Sequence, residues 1–476
     1  MQYEVVIGLE VHVELHTESK LFCSCPNRFV PEPNVNTCPG CLGYPGVMPQ
    51  MNSEAVKKAL TASLALNCEV ARLSYFDRKN YFYPDIPRGY QISQFHVPIG
   101  SNGSLIIEDD QGTEKKVRIG RVHMEEDAGK LVHSPYGDIS MVDYNRSGVP
   151  LVEIVTEPDL RSPGEARRYL EQLKSILQYA GVSDCKMEEG SLRCDANISL
   201  RPAGSEKLGS KTELKNMNSF KAVEKSLEHE IKRQRAILES GEEVISQTLR
   251  WEEDKGQTLV MRSKLEAADY RCFTDPELPL IALSEEEIEA ARSALPEMAP
   301  ARAERFVKDY NLPDYDARVL TASRSLADYF ESCLKTYDNP KTVSNWIMGD
   351  FAAQLNSAGI EADSCAFSPE DLAELLVMID EGSISGKIAK DVLLKAFASG
   401  KPPRQVVEEE GLLQISDQTE LEMIIDRVIA ENPDSVANYR GGKTKALGHL
   451  VGQVMKETKG KANPQLVNEL LARALS

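Results

Sequence analysis

The sequence predicts an α+β protein: a strand-rich body, then a helical middle and a short helical tail. Two patterns carry this. Apolar and polar residues alternate in VVIGLEVHVELH, VRIGRVHME, LVEIVTE and SLRCDANISL, with Gly, Pro and Asn between them. After about Leu283 the period changes to that of amphipathic helices. A chain of 476 residues is also too long for one core, and about 150 residues per domain suggests two to four domains.

Taken in order, the N-terminal MQYEVVIGLEVHVEL begins directly as a strand. It has no basic leader or apolar signal region, so a cytoplasmic protein is expected. Helices are expected to begin near Ser53, Ser162 and Ser219, where a serine hydroxyl can accept from the first free amides; Pro163 suits a first helical turn. RWEEDKGQTLVMR reads as a hairpin around Asp254 to Gly256. SEEEIEAARSAL has a serine cap and an acidic first turn, which complement the amide dipoles. SPEDLAELLVMIDEG repeats that start and ends on a glycine suited to a left-handed stop. SGKPP, at 399–403, looks like a hinge before a last helical unit ending in NPQLVNELLARAL. The expected domains are therefore 1–290, 291–403 and 404–476. No run is apolar enough to span a membrane.

The net charge of -19 argues against a protein that coats nucleic acid non-specifically. The charge is uneven, however. From Arg440 to Ser476 there are seven Lys/Arg against two Glu, a local balance of +5. Such a tail could hold a polyanion, or be an ordinary solvated helical surface.

The first strand carries the strongest chemical signal. Glu10, His12, Glu14 and His16 alternate with Leu9, Val11, Val13 and Leu15, so one face packs while the other presents carboxylates and imidazoles. Together these groups can ligate a divalent metal, although a solvated face would also tolerate them. In HMEED, Glu125 and Glu126 point to opposite faces, so only one is expected in any given site. Glu153 stands in the apolar run LVEIVTE and needs a cation or hydrogen-bond partner. Arg193, Asp195 and Asn197 share a face of SLRCDANISL. Exposed sheet faces or buried salt bridges are the bland alternatives. A carboxylate-lined sheet face suits Mg²⁺ and nucleotide phosphates, because hard cations prefer oxygen.

Cys23, Cys25, Cys38 and Cys41 form two close pairs joined by a short loop, the pattern of structural tetrahedral zinc; reduced free thiols are the alternative. Four protein ligands would leave no open position for catalysis. Cys68, Cys185, Cys194, Cys272, Cys333 and Cys365 are scattered and read as core filler. GGKT at 441–444 imitates the end of a phosphate loop, but Ala437 stands where the first glycine should be, among helices.

FDRKNYFYPD, YQISQF, RVHMEEDAGK, DYNRSGVPLVEIVTEPD, KMEEGSLRCDANISLR and ELKNMNSF closely resemble the GatB family, the B subunits of tRNA-dependent amidotransferases. The similarity continues through SNWIMGD, SGKIAKDVL and GKTKALGHLVGQVMKETKGKANPQLVNELL, covering essentially the whole chain in order. The resemblance implies a glutamine synthetase-like cradle with a mostly antiparallel sheet, an all-α helical domain and an all-α YqeY-like tail that engages tRNA. The tail lysines concerned would be Lys443, Lys445, Lys456, Lys459 and Lys461. It further implies ATP, Mg²⁺ on His12, Glu126 and Glu153, Glu10 completing that shell or orienting His12, and Lys79 contacting phosphate. Glu125, Arg193 and Asp195 are weaker candidates. The implied partners are a GatA-like amidase, a GatC-like small subunit, and tRNA(Gln) or tRNA(Asn) mischarged with Glu or Asp. Some relatives lack the four cysteines, so zinc would staple the loop and take no part in the reaction.

Overall fold

The computed structural model describes residues 2–133, 137, 139–263, 270–413, 418–440, 445–458, 462 and 464–475. The chain divides into two compact units, Met1–Met298 and Ala299–Ser476.

The first unit is built on a 12-stranded sheet. Its central strand, Tyr3–Glu14, pairs antiparallel with Pro150–Thr156 on one side and Leu192–Pro202 on the other. Beyond Pro150–Thr156 come Glu114–Glu126, Tyr90–Ser93 and Asp77–Asn80. Beyond Leu192–Pro202 come Thr212–Lys215, Gln247–Glu252 and Gln257–Ser263. Among the described strands, only Thr212–Lys215 with Gln247–Glu252 runs parallel, so the sheet is mostly antiparallel as the resemblance implied.

Alternation along the central strand sorts its side chains. Ile7, Leu9, Val11, Val13 and Leu15 are buried in one apolar cluster with Leu173, Leu177, Val223 and Leu227. The last four belong to helices Pro163–Tyr179 and Phe220–Glu239, so these helices cover that face. Each such side chain stabilises the unit by about 1.5–3 kcal/mol through burial. The opposite face keeps Glu10, His12 and Glu14.

Ser162 and Ser219 cap their helices as expected, accepting from Glu165 and Ala222 amides at 3.1 and 3.0 Å. For helix Ser53–Ala65 the cap is instead Asn52, whose side-chain oxygen accepts from the Glu54 and Ala55 amides; Ser53 is already inside the first turn. Gly256, at φ 59°, closes the expected hairpin. Ser284 caps the next helix as expected, and Glu287 returns the bond to make a reciprocal capping box.

In the second unit that device recurs: Ser368 and Asp371 form a capping box, and Gly382 follows the helix at φ 72°. The SGKPP segment, expected to be an interdomain hinge, is a tight turn between helices Gly386–Ser399 and Pro403–Glu409. Val406 and Val407 lie in the same apolar cluster as Val392 and Ala396, and Leu412 packs against it, so that core continues past the expected boundary. A separate apolar cluster runs from Leu421 to Leu475. Among the described residues no helix is long and apolar enough to cross a membrane.

Candidate metal and phosphate site

Strand register decides which polar residues meet. His12 lies opposite Glu153, and Glu153 opposite His123. Directly paired residues of antiparallel strands share a face, so these side chains stand in one row. Glu125 is two residues beyond His123 and therefore on the same face. The result is a compact cluster. His12 Nε2 lies 3.3 Å from both Glu125 Oε1 and Glu153 Oε2. His123 Nε2 lies 3.3 Å from Glu153 Oε2 and 3.7 Å from Glu125 Oε2. Ligand atoms of His12, Glu125 and Glu153 all fall within 4.8 Å of one another.

The electrostatics of this cluster are those of anions requiring a cation. Burial alone would lower the His12 pKa, but hydrogen bonds to Glu125 and Glu153 outweigh it and hold the imidazole at about 10. Burial likewise opposes ionisation of Glu125, yet His12 and His123 pull its carboxyl down to about 2. Glu153 is held below the usual carboxylate range by the same two rings, against the effect of burial. Two carboxylates this close repel unless positive charge lies between them. Imidazolium can supply it, and so can a divalent ion with neutral His12 as a ligand.

The structure corrects the expected membership of this set. Glu126 points to the other face of its strand, because adjacent residues alternate. There its carboxylate accepts from Arg88 Nη1 at 2.9 and 3.0 Å and from the Ile92 amide at 3.1 Å. Glu125 stands where Glu126 was expected. Glu10 shares the His12 face, groups with Asp195 and Glu213, and accepts from Asn197 Nδ2 at 2.8 Å. Lys215 pairs with Asp195 and, at 3.2 Å, with Glu213. Arg193 donates to Asp127 at 2.7 Å.

Lys79, on the Asp77–Asn80 strand, pairs in register with Gln91, next but one to Ser93, which faces Glu125. Its ammonium sits 4.9 Å from the centre of the Tyr270 ring and has no ion-pair partner among the described residues. Sequence reasoning missed His123, although H-M-E places it and Glu125 on one face. It also missed Arg88, Asp127, Glu213 and Lys215, whose roles come from strands distant in sequence.

The four thiols Cys23, Cys25, Cys38 and Cys41 also converge, with sulfurs within 4.8 Å of one another. Tetrahedral zinc requires sulfurs about 3.8 Å apart, so small adjustments suffice. Lys20, fully buried, aims its ammonium at Cys41 Sγ (3.8 Å) and donates to the Asn36 carbonyl at 2.8 Å. The Cys23 thiol and then Lys20 help pull Cys41 down to about 5. A buried cation beside four sulfurs is what a thiolate cluster needs. Arg88 Nη2 donates to the Gly40 carbonyl at 3.0 Å, tying this loop to Glu126.

In the second unit, Lys445 and Lys456 lie on helix Lys445–Glu457 and are exposed. Eleven residues is close to three turns, so they share one side of the helix. Lys443, Lys459 and Lys461, together with the GGKT segment, lie outside the described residues.

Two family profiles match the chain. One, described as the GatB/GatE catalytic domain, covers residues 5–289, and one described as the GatB domain covers 328–475. The B subunit of an aspartyl/glutamyl-tRNA(Asn/Gln) amidotransferase from Carboxydothermus hydrogenoformans is 56% identical, spanning 100% of this chain and 99% of that protein. Proteins of the same name from Caldanaerobacter subterraneus subsp. tengcongensis (57%, 100% of both chains) and Brevibacillus brevis (53%, 100% and 99%) are similarly close. Agreement over the full length, through both compact units, leaves one assignment: the chain belongs to the GatB family of aspartyl/glutamyl-tRNA amidotransferase B subunits.

Proposed function

We propose that this chain is the cytoplasmic B subunit of a tRNA-dependent amidotransferase. It uses ATP to activate the side-chain carboxylate of Glu-tRNA(Gln) or Asp-tRNA(Asn), and ammonia then converts that carboxylate to the amide. The observation that carries this reading is the His12–Glu125–Glu153 cluster, an oxygen-rich set with one imidazole that fits Mg²⁺.

A carboxylate is a poor acyl donor because oxide is a poor leaving group. Transfer of the ATP γ-phosphoryl group to it gives an acyl phosphate, from which phosphate departs readily. Mg²⁺ bound by His12, Glu125 and Glu153 would neutralise charge on the transferring group. Lys79, on the same face, supplies a second positive charge for phosphate oxygens. His123 holds Glu125 and Glu153 in place through its Nε2 contacts. Glu10, with Asn197, Asp195 and Lys215, forms the adjoining wall. Ammonia would come from a GatA-like amidase, with a GatC-like small subunit completing the heterotrimer, by a route closed to water so that the acyl phosphate survives. Zn²⁺ on the four cysteines would staple the 23–41 loop. Lys445 and Lys456 would contact tRNA phosphates from the helical tail that carries them.

The test is amidation of Glu-tRNA and Asp-tRNA by the chain co-expressed with its partners, with and without ATP. ATP-dependent product is expected. Full amidation by both His12→Ala and Glu153→Gln would refute the site.

A further inference from the structure

One carboxylate on the polar face of the central strand has no part in the chemistry proposed above. Glu14 stands two residues beyond His12, so the two side chains share a face about 6.8 Å apart along the strand. It is half-buried, and among the described residues its carboxylate has no hydrogen bond and no ion pair. The cations around it are committed elsewhere. Arg193 donates to Asp127 Oδ2 at 2.7 Å, and Arg146 Nε lies 3.3 Å from the same oxygen. Arg146 also donates to the Ala128 and Gly129 carbonyls at 3.1 Å. Asp127 and Asp184 add negative charge nearby. A half-buried carboxylate without a partner is costly, so a filled site is expected to bring it a cation.

Glu10, equally spaced on the other side of His12, does not share this need. Asn197 donates to it at 2.8 Å, and Lys215 pairs with Asp195 and Glu213 beside it. The two sides of His12 differ also in access. Glu14 is the last residue of its strand, opposite Leu151 near the start of the neighbouring one, and His16 just beyond is exposed. A bulky substrate can therefore reach Glu14 from the end of the sheet.

We propose that Glu14 receives the α-ammonium of the esterified Glu or Asp whose side-chain carboxylate is activated at the His12 cluster; the inference rests on the function proposed above. The aminoacyl group carries a single cation, its α-ammonium, separated from the side-chain carboxylate by a short aliphatic chain. With that carboxylate at His12, Glu125 and Glu153, the chain runs along the strand and the ammonium meets Glu14. An ammonium donating to a carboxylate makes a charge-assisted hydrogen bond, the stronger kind. Glu14 is then a specificity-determining residue: it favours a free α-amino group over one blocked by an acyl group, which has lost its charge.

Amidation of Glu-tRNA and of N-acetyl-Glu-tRNA, compared in the assembled complex with Mg²⁺ and ATP, tests this. The wild type is expected to prefer Glu-tRNA by about tenfold or more in kcat/KM, the worth of a hydrogen bond to a charged group. Glu14→Gln keeps the shape of the side chain and removes its charge. It should lower kcat/KM for Glu-tRNA by about tenfold or more and leave N-acetyl-Glu-tRNA within about threefold, bringing the two substrates level. Glu14→Asp, which keeps the charge on a shorter arm, should retain part of the preference. A role in folding or in metal binding would instead lower both substrates together. That result, or a preference that survives in Glu14→Gln, would overturn the assignment. A wild type that amidates both substrates alike would overturn it without any variant. A wild type that amidates neither would overturn the function proposed above as well.

Discussion

Two charge networks, one in each compact unit, use carboxylates in opposite ways. In the second unit Glu331 accepts from Arg302 Nη2 at 2.5 Å, Arg305 Nη1 at 2.7 Å and Tyr310 Oη at 2.9 Å. Arg302 also pairs with Asp328 at 2.6 Å. Guanidinium is permanently charged, so the carboxylates of this network are balanced by side chains alone. In the first unit the ion-pair partners of Glu125 and Glu153 among the described residues are imidazoles. Imidazole, unlike guanidinium, can give up its proton to become a metal ligand, so the positive charge there can be exchanged for that of a divalent ion. The arginine network is a structural weld; on the function proposed above, the histidine cluster is a socket.

The largest expected effect breaks the socket. Glu153→Gln or His12→Ala should lower ATP-dependent amidation by about a thousandfold. The partner's glutaminase activity should remain measurable, and the thermal midpoint should change by only a few degrees. A large drop in midpoint with modest loss of activity would make this cluster a weld as well.

Next, Arg88→Gln should strand the buried Glu126 carboxylate, at a cost of about 3–5 kcal/mol in chemical denaturation. Because Glu126 adjoins Glu125, metal affinity measured with Mn²⁺ should also weaken; Arg88→Lys should recover part of both. Stability within about 0.5 kcal/mol of wild type would show that Glu126 does not depend on Arg88.

In the weld, Glu331→Gln should cost about 2 kcal/mol at neutral pH, after allowance for solvent screening of a partly exposed group, and leave amidation chemistry unchanged. Burial raises the Glu331 pKa, but Arg305, Arg302 and Tyr310 more than reverse this, to about 2 from an ordinary 4.5. Its contribution is therefore full above about pH 4.5 and is lost as pH falls toward 2. Acid denaturation curves of wild type and Glu331→Gln should converge across that window, and parallel curves would refute the linkage.

The smallest effects belong to the exposed tail lysines. Lys445→Ala and Lys456→Ala should each reduce the salt dependence of tRNA binding by about one unit of slope, with ATP affinity unchanged. An unaltered slope would remove them from the RNA contact.

The adjacent pair Glu125 and Glu126 shows how far the sequence could be read. Alternation alone established that they face opposite ways, but not which of them faces His12. That choice follows from the register of Glu114–Glu126 against Pro150–Thr156, and of that strand against Tyr3–Glu14. His123 was visible by the same spacing as Glu125, yet its use appeared only once Glu153 was found opposite. Ser53 was misread for a related reason: two capping residues stood side by side, and the backbone at Asn52 settled which one accepts.

Local physics therefore determined the strands and helices, the apolar face of the first strand, the cysteine pairs and the approximate change from sheet to helix. Those properties depend on neighbours within a few residues. Tertiary structure decided which carboxylates meet His12, the grouping of Glu10 with Asp195 and Glu213, and the continuation of the helical core beyond SGKPP. Each of these depends on which distant segments lie side by side. A strand's period fixes the relative facing of its own residues, but only packing of the whole sheet fixes what that face meets.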